Sequence, residues 1–353
     1  LIFKDGSEFE GVSFGFPKSV AGEIVFTTGM VGYPEAMTDA SYKGQILIFS
    51  YPLIGNYGVP DKKLWESDRI QASAIIVSSH ISDTSHHQST MTLTEWLIKS
   101  QVPALEIKDT RALVQKLREN GAMLGKIIID DDVEWYDPNI VNIVADVSVK
   151  RPILKEANSK QPTVNGKRNP RVVLIDCGAK NNIINSLTAR GVEVTAVPWD
   201  FDVVSSNLEY DGIVLSNGPG DPKVLKETIK NVAKILAKNI PTLGICLGNQ
   251  MLALGAGGDT YKLKFGHRSQ NQPCRVVDGT DRFYLTTQNH GFAVGKLPDG
   301  FVEWFTNAND GTNEGIIHKT KPFMSVQFHP EAFPGPNDTD WIFDSFLEKM
   351  NHS

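Results

Sequence analysis

Residues 241–250 read PTLGICLGNQ, and this stretch decides the fold of the second half of the chain. PTLGIC is a short apolar run that predicts a buried strand, and the residues after it predict a helix. Gly244 and Gly248 flank Cys246 where the strand gives way to the helix, so the turn can be sharp enough to expose the side chain between them. A helix N-terminus favours a thiolate, so the pattern predicts a nucleophilic cysteine. A buried structural cysteine is the alternative, and this motif alone does not decide between them.

Strands and helices alternate on both sides of this stretch. Apolar runs predict four more strands, at RVVLID (171–176), VEVTAVP (192–198), GIVLSNG (212–218) and FMSVQFHP (323–330). Helical spacing of apolar residues predicts helices at 179–190, 224–238 and 339–350. Such alternation predicts an α/β domain with a parallel sheet, whose functional loops follow the carboxyl ends of the strands.

The first 150 residues show a different pattern. LIFKDGSEFEG predicts a hairpin at Asp5-Gly6. Further strands are predicted at EIVFTT (23–28), QILIFS (45–50) and SAIIVSS (73–79). Helices are predicted at 91–99 and 110–119, the second capped by Asp109 or Thr110 and ended by Gly121. We therefore expect a smaller, mixed α+β domain at the N-terminus.

Residues 151–170 read RPILKEANSKQPTVNGKRNP, which is rich in Lys, Asn and Pro and has no apolar periodicity. This composition predicts a linker. The sequence therefore predicts an α+β domain at 1–150, a linker at 151–170 and an α/β domain at 171–353. Two domains also agree with a length of 353 residues.

A base and a carboxylate that could serve Cys246 follow the strand predicted at 323–330. Residues 329–331 read HPE, and side chains at i and i+2 of a strand face the same side, so His329 and Glu331 can touch. A lone histidine is more often structural. A histidine at a strand end, in the same predicted sheet as Cys246, favours a nucleophile, base and orienting acid.

A glycine-rich turn, SNGPGDP, follows the strand predicted at 212–218. Gly218 and Gly220 allow a ligand to approach the backbone closely. Backbone N–H groups in such a turn can donate to an oxyanion or to a ligand carboxylate. On this motif alone, a plain turn is the favoured interpretation.

Composition excludes several classes of function. The 35 basic and 41 acidic residues give a net charge of −6 with no basic patch, which argues against nucleic-acid binding. No apolar run approaches the ~18 residues of a membrane span. GAMLGKI (121–127) has the wrong spacing and ending for a phosphate loop. The three cysteines, Cys177, Cys246 and Cys274, have neither zinc-ligand spacing nor an even number, so we expect no metal and a reducing compartment.

Longer motifs are spread nearly end to end through both predicted domains. They are GEIVFTTGMVGYPEAMTDASYKGQI (22–46), YPLIGNYG (51–58), RSQNQP (268–273), TQNHGFAV (287–294), NANDGTNEGI (307–316) and SVQFHPE (325–331). Together with GICLG they resemble the glutaminase small subunit or domain of carbamoyl phosphate synthetase, a class I (triad-type) glutamine amidotransferase. The resemblance implies a flavodoxin-like amidotransferase domain preceded by the smaller domain. The chain starts without Met, so we expect it to be part of something longer.

The resemblance also implies a mechanism. Cys246 attacks the side-chain amide of L-glutamine to give a thioester and ammonia, His329 carries the proton, and Glu331 holds His329. The N–H groups of Leu247 and Gly218 bind the oxyanion. Glutamine is held by Ser41, Gly218, Gly220, Leu247, Gln250, Asn289, Gly291 and Phe292. Because Ser41 lies in the first predicted domain, we expect an active site at the domain junction.

Free ammonia at pH 7 is mostly ammonium, which has no lone pair for attack. We therefore expect delivery to the partner that the resemblance implies, a carbamoyl phosphate synthetase large subunit or fused synthetase domain, which docks on the first domain. ATP and Mg belong to that partner, and no cofactor is expected here. The product feeds arginine, urea or pyrimidine synthesis, in the cytoplasm or alternatively in the mitochondrion. The alternatives are a γ-glutamyl hydrolase, another amidotransferase, and a catalytically weak module that regulates or stabilises the synthetase.

The chain departs from the family pattern at two positions. The elbow usually continues GICLGHQ, and here Asn249 replaces the histidine. Asn cannot titrate, so we expect it to leave the mechanism intact and to change affinity or rate modestly. In GHRSQ (266–270), Ser269 stands where the family often has glycine, and we expect it in a surface loop.

Overall fold

The computed structural model describes residues 1–158 and 168–351, which fall into two compact units. The first comprises Leu1–Ile143 and Leu263–Ser269, and the second comprises Val144–Lys262 and Gln270–Ser353. This division differs from the predicted boundaries, because a short stretch of the second half of the chain belongs to the first unit.

The first unit contains a seven-stranded sheet. Its strands are β1 (Ile2–Phe3), β2 (Val12–Ser13), β3 (Val20–Thr27), β4 (Gln45–Phe49), β5 (Ala74–Val77), β6 (Ala104–Glu106) and β7 (Met123–Ile127). The order across the sheet is β1-β7-β3-β4-β5-β6-β2, in which β3, β4, β5 and β6 run parallel to one another, and β7 and β2 pair antiparallel with β3 and β6. The helices are α1 (Tyr33–Thr38), α2 (Leu93–Lys99) and α3 (Thr110–Asn120). The predicted mixed α+β character is confirmed.

Local signals placed α3 accurately. The Asp109 carboxylate accepts a hydrogen bond from the Ala112 N–H at 2.9 Å, so Asp109 rather than Thr110 is the cap. Gly121 ends the helix with φ of 94°, a conformation that favours glycine. The predicted turn at Asp5-Gly6 is also present, with the Gly6 N–H bonded to the Phe3 carbonyl.

The second unit is built on a ten-stranded sheet, except that Leu263–Ser269 in the middle of one strand is assigned to the first unit. Its strands are β8 (Ile153–Lys155), β9 (Arg171–Asp176), β10 (Glu193–Pro198), β11 (Gly212–Leu215), β12 (Thr242–Ile245), β13 (Asp259–Val276), β14 (Phe283–Lys296), β15 (Phe301–Asn307), β16 (Asn313–His318) and β17 (Phe323–Val326). The order is β14-β13-β15-β16-β17-β12-β11-β9-β10-β8. The helices are α4 (Val144–Val147), α5 (Asn181–Ala189), α6 (Lys226–Ala237), α7 (Leu247–Gly255) and α8 (Trp341–Asn351).

The central part of this sheet is parallel, as predicted, and runs β17-β12-β11-β9-β10. Apolar residues on both faces of it are buried under helices. Alternate residues of β9 and β11 belong to different apolar clusters, one with α6 and α7 and the other with α5 and α8. Burial on both faces explains why these strands are near-continuous apolar runs.

Two features of the second unit differ from the prediction. The segment 151–170 includes β8, which pairs antiparallel with β10, so its first residues belong to the sheet rather than to a linker. Residues 159–167 of that segment lie outside the described part of the chain. The long strands β13 and β14 carry many polar residues, so no apolar run predicts them.

Candidate active site

Cys246 occupies a strained turn between β12 and α7. Its φ of 55° and ψ of −104° are uncommon for a residue with a side chain. Both flanking glycines are required by close backbone approaches. A Cβ on Gly244 would lie 2.4 Å from the Gly248 carbonyl oxygen, and a Cβ on Gly248 would lie 2.1 Å from that of Leu215. The sharp turn predicted from GICLG is therefore present.

Strand register places Cys246 beside the residues that follow β17. β12 and β17 are parallel, with Ile245 opposite Val326. The Cys246 N–H continues this pairing by donating to the Val326 carbonyl at 2.8 Å. The side chains after the two strands thus meet at the carboxyl edge of the sheet.

Polar and apolar side chains alternate from β17 into the following segment. Ser325, Gln327, His329 and Glu331 are all buried, and we call them the polar series. Between them, Met324, Val326 and Phe328 belong to the apolar cluster under α5 and α8. Alternation of this kind directs the polar series to one side.

His329 and Glu331 form a buried pair, as the HPE motif predicts. The His329 Nδ1 lies 2.6 Å from Glu331 Oε1. Burial opposes charge on the imidazole, but the carboxylate of Glu331 and the sulfur of Cys246 outweigh it and raise the pKa of His329. Nδ1 is taken up by Glu331, so Nε2 is the ring nitrogen that can exchange a proton with the Cys246 sulfur.

Lys180 is a site residue that the sequence interpretation missed. It lies just before α5, and its buried Nζ is 3.1 Å from Glu331 Oε1 and 2.5 Å from the Ala332 carbonyl. Burial would raise the pKa of Glu331, but Lys180 and then His329 outweigh burial and lower it to about 2. The available signal was its position, a lysine shortly after the carboxyl end of a central strand.

The two residues predicted to bind an oxyanion lie together. A Cβ on Gly218 would be 2.8 Å from Leu247 Cδ2 and 2.2 Å from the Cys177 carbonyl oxygen, so Gly218 has no room for a side chain. The Leu247 N–H is at the first position of α7, where no helical carbonyl is available to accept it. Gly220 has a φ of 81°, which glycine adopts readily.

Several predicted substrate residues surround Cys246. The Cys246 thiol is 3.6 Å from the Asn289 carbonyl oxygen, which accepts its weak hydrogen bond. Gln250 Nε2 donates to the Phe292 carbonyl at 2.8 Å. Gly291 lies between Asn289 and Phe292 on β14. Ser41 belongs to the first unit, where its N–H donates to Asp39 Oδ1 at 2.9 Å, and its role stays a prediction.

The other two cysteines have environments unlike that of a nucleophile. Burial, and secondarily Asp176, raises the pKa of the Cys177 thiol well above its ordinary value. Burial, and secondarily Glu314, does the same to the pKa of Cys274. Neither thiol has the positive φ of Cys246.

The two departures from the family pattern are both buried. Asn249 Nδ2 donates to Gln327 Oε1 at 3.1 Å, and Asn249 Oδ1 accepts from the Ser325 hydroxyl at 2.8 Å. The surface loop predicted for Ser269 is wrong, because Ser269 lies within β13 and is buried. The GHRSQ stretch has no apolar periodicity, so the burial of Ser269 could not be inferred from the sequence.

Comparison with known proteins decides the family. The model described as carbamoyl-phosphate synthase small chain, CPSase domain, matches residues 1–127, and that described as glutamine amidotransferase class-I matches 173–349. The carbamoyl phosphate synthase arginine-specific small chain of Neurospora crassa is 44% identical over 99% of this chain and 79% of its own length. The chain belongs to the carbamoyl phosphate synthase small-chain family.

Membership of this family confirms the resemblance and the α/β fold class predicted from the motifs. Longer relatives also match 99% of the chain. They include the multifunctional protein pyr1-3 of Dictyostelium discoideum, 46% identical, and the multifunctional protein CAD of Squalus acanthias, 47% identical. The chain spans only 17% and 16% of the lengths of these two relatives. Among the helices described, none has the length and apolar character needed to span a bilayer.

Proposed function

We propose that this chain hydrolyses L-glutamine to glutamate and ammonia and delivers the ammonia to a carbamoyl phosphate synthetase partner. The observation that carries the proposal is the strained Cys246 beside the buried His329–Glu331 pair. Family membership of both halves supports glutamine as the substrate and the synthetase as the consumer of ammonia.

In the acylation step, the Cys246 S–H bond breaks and its proton moves to Nε2 of His329. The sulfur attacks the side-chain carbonyl carbon of glutamine, and the oxygen takes up negative charge. The N–H groups of Leu247 and Gly218 stabilise that oxyanion. His329 then returns the proton to the amide nitrogen, the C–N bond breaks, and ammonia leaves a γ-glutamyl thioester.

In the second step, water hydrolyses the thioester. His329 removes a proton from the water as it attacks the thioester carbon, and the C–S bond breaks as the second tetrahedral intermediate collapses. The sulfur leaves as a thiolate and recovers a proton from His329, and glutamate is released. Glu331 stays charged throughout, because Lys180 and His329 keep its pKa low, and it stabilises the protonated imidazole. No cofactor enters these steps, so ATP and Mg are assigned to the partner.

The partner is proposed to be either a separate large subunit or a synthetase domain of the same polypeptide. Relatives of both kinds support these two alternatives. They are a small chain in Neurospora crassa and multifunctional proteins in Dictyostelium discoideum and Squalus acanthias. Docking is proposed to use the first unit. Cytoplasm, or alternatively the mitochondrion, is proposed as the location, supported by three unpaired cysteine thiols.

The test is a glutaminase assay of the chain alone and with a family synthetase, measuring both glutamate and carbamoyl phosphate. We expect weak hydrolysis alone, faster hydrolysis with the synthetase, and carbamoyl phosphate formed from glutamine. An absence of hydrolysis in both mixtures, with the ammonia-dependent reaction enhanced, would instead favour the catalytically weak scaffolding module.

A further inference from the structure

Gln327 makes a contact with the Cys246 sulfur that the mechanism above does not use. Gln327 is fully buried and follows β17, and its Nε2 lies 3.6 Å from Cys246 Sγ. Apart from His329, which takes its proton, the sulfur also contacts the Asn289 carbonyl, which can only accept a hydrogen bond. In addition to His329, the sulfur thus has one acceptor and one donor beside it.

The orientation of the Gln327 amide is fixed by a chain of hydrogen bonds that begins at the backbone. The Phe292 carbonyl can only accept, so it fixes which end of the Gln250 amide donates to it. Gln250 Nε2 also donates to Gln327 Oε1 at 3.1 Å. A flipped Gln327 would face the Gln250 donor with its own donor, so Gln327 Nε2 must point to the sulfur.

Asn249 supplies the second donor to the same oxygen, also at 3.1 Å. Gln327 Oε1 therefore accepts two hydrogen bonds, which use both of its lone pairs. A buried amide group that loses its partner is costly, so two donors hold this amide more firmly than one. Asn249 has no titratable proton, and it can hold Gln327 in this way at any pH at which the protein is folded.

We propose that Gln327 donates the hydrogen bond that stabilises the thiolate form of Cys246, and that Asn249 is a positioning residue that keeps this donor directed at the sulfur. The role in turnover rests on the proposed glutaminase function. When the S–H bond breaks and the proton moves to His329, the electron pair stays on the sulfur and the Asn289 carbonyl loses its donor. The carbonyl dipole then faces negative charge. The Gln327 amide offsets that repulsion, since a hydrogen bond to a charged atom is stronger than one to a neutral atom.

The primary test measures alkylation of Cys246 by iodoacetamide in the full chain at pH 7, followed by mass spectrometry of the peptide that contains Cys246. Gln327→Leu removes the donor and keeps an apolar side chain of similar size. We expect alkylation to slow by about tenfold to a hundredfold, the range for a hydrogen bond to a charged group. Thermal melts establish that each variant is folded.

A matched control exists in the same unit. Gln288 is equally buried and donates to a different sulfur, that of Cys274, at 3.3 Å. Gln288→Leu therefore tests the effect of replacing a buried glutamine without removing the donor to Cys246. We expect the rate of Cys246 alkylation to stay within about twofold of the unaltered chain.

The positioning role of Asn249 is tested by rescue and by additivity. Asn249→Leu should slow alkylation, and Asn249→His should restore most of the rate, because a neutral imidazole can place an N–H toward Gln327 Oε1. Adding Asn249→Leu to Gln327→Leu should cause no further slowing, since the residue acts through Gln327. Additive losses would overturn the positioning role.

Alkylation at the unaltered rate in folded Gln327→Leu would overturn the donor role. If that variant fails to fold, Gln327→Met decides, because its unbranched side chain keeps the length of glutamine, carries no charge and has no donor for the sulfur. The assay contains no glutamine. Slowed alkylation in a chain with no glutaminase activity would refute the proposed function and leave the donor role standing.

Discussion

Lys180 Nζ and His329 Nδ1 both lie against the same oxygen of Glu331, at 3.1 Å and 2.6 Å. All three side chains are buried. Removing one member of a buried ion pair leaves an uncompensated charge, whereas exposed pairs contribute little. Lys180 therefore helps to keep Glu331 charged, just as Glu331 helps to keep the imidazole of His329 protonated.

Lys180→Met should destabilise the chain by about 3 kcal/mol and lower glutaminase activity, because it leaves the Glu331 carboxylate short of one cation. Urea denaturation and glutamine hydrolysis measure the two effects. The control is Lys223→Met, which breaks an exposed pair with Asp259 and should change neither quantity measurably. Equal effects of the two substitutions would contradict the role of Lys180.

The pH dependence of stability should include a contribution from Glu331. Its folded-state pKa is about 2, below the ordinary value of 4.5, so its stabilising contribution is complete above pH 4.5 and is lost as the pH falls toward 2. We expect the free energy of unfolding to lose on the order of 2 kcal/mol more between pH 5 and pH 2.5 in the unaltered chain than in Glu331→Gln. Parallel curves for the two proteins would exclude this contribution.

Cys246 should be the cysteine that matters for turnover. A glutamine-analogue alkylator should label Cys246, and Cys246→Ser should lose glutamine-dependent synthesis of carbamoyl phosphate in a reconstituted complex. The reaction with added ammonia should continue, since the partner carries it out. Cys274→Ser is the control, and the assignment would be wrong if it were equally damaging to glutamine hydrolysis.

Gly248→Ala should disrupt the elbow. Its Cβ would lie 2.1 Å from the Leu215 carbonyl oxygen, a backbone atom of the neighbouring strand β11. Either the turn or the strand must move, so we expect loss of both folding stability and Cys246 alkylation. Gly257→Ala provides the comparison, because a Cβ there has nothing within 4 Å and meets only the strain of its φ of 92°. A smaller loss for Gly248→Ala than for Gly257→Ala would contradict the close-approach argument.

His329→Ala should cost several orders of magnitude in glutamine hydrolysis, and Asn249→Ala a much smaller factor, with the synthetase present in both assays. His329 moves the proton, whereas Asn249 acts through Gln327 and Gln250 still holds that amide. Equal losses would mean that Asn249 belongs to the catalytic unit itself.

The site residues that could be predicted are marked by residues close to them in the sequence. Cys246 lies between two glycines at a strand–helix turn, and His329 and Glu331 are two residues apart. Lys180 and Gln327 carry no such signal. Lys180 precedes Glu331 by about 150 positions, and their contact depends on the order of strands in the sheet.

The same distinction applies to the fold. Helix α3 was predicted with its ends because Asp109 and Gly121 act within one turn of them. Strand β13 was not predicted, because many of its residues are polar and no local apolar pattern marks it. It lies between β14 and β15, and a short window of sequence does not contain that pairing. The stretch Leu263–Ser269 joins the first unit through contacts far along the chain, which no window of sequence contains.

Ser325, Gln327 and His329 alternate with apolar residues, and this alternation also specifies the register in which β17 pairs with β12. A slip of one residue against β12 would exchange the two sides of the strand. Three polar groups would then enter an apolar cluster without partners, and Val326 and Phe328 would face the hydrogen-bonding groups of α7. A one-residue shift of β17 would therefore be strongly disfavoured. The polar residues that form the candidate active site also favour the observed register of the sheet.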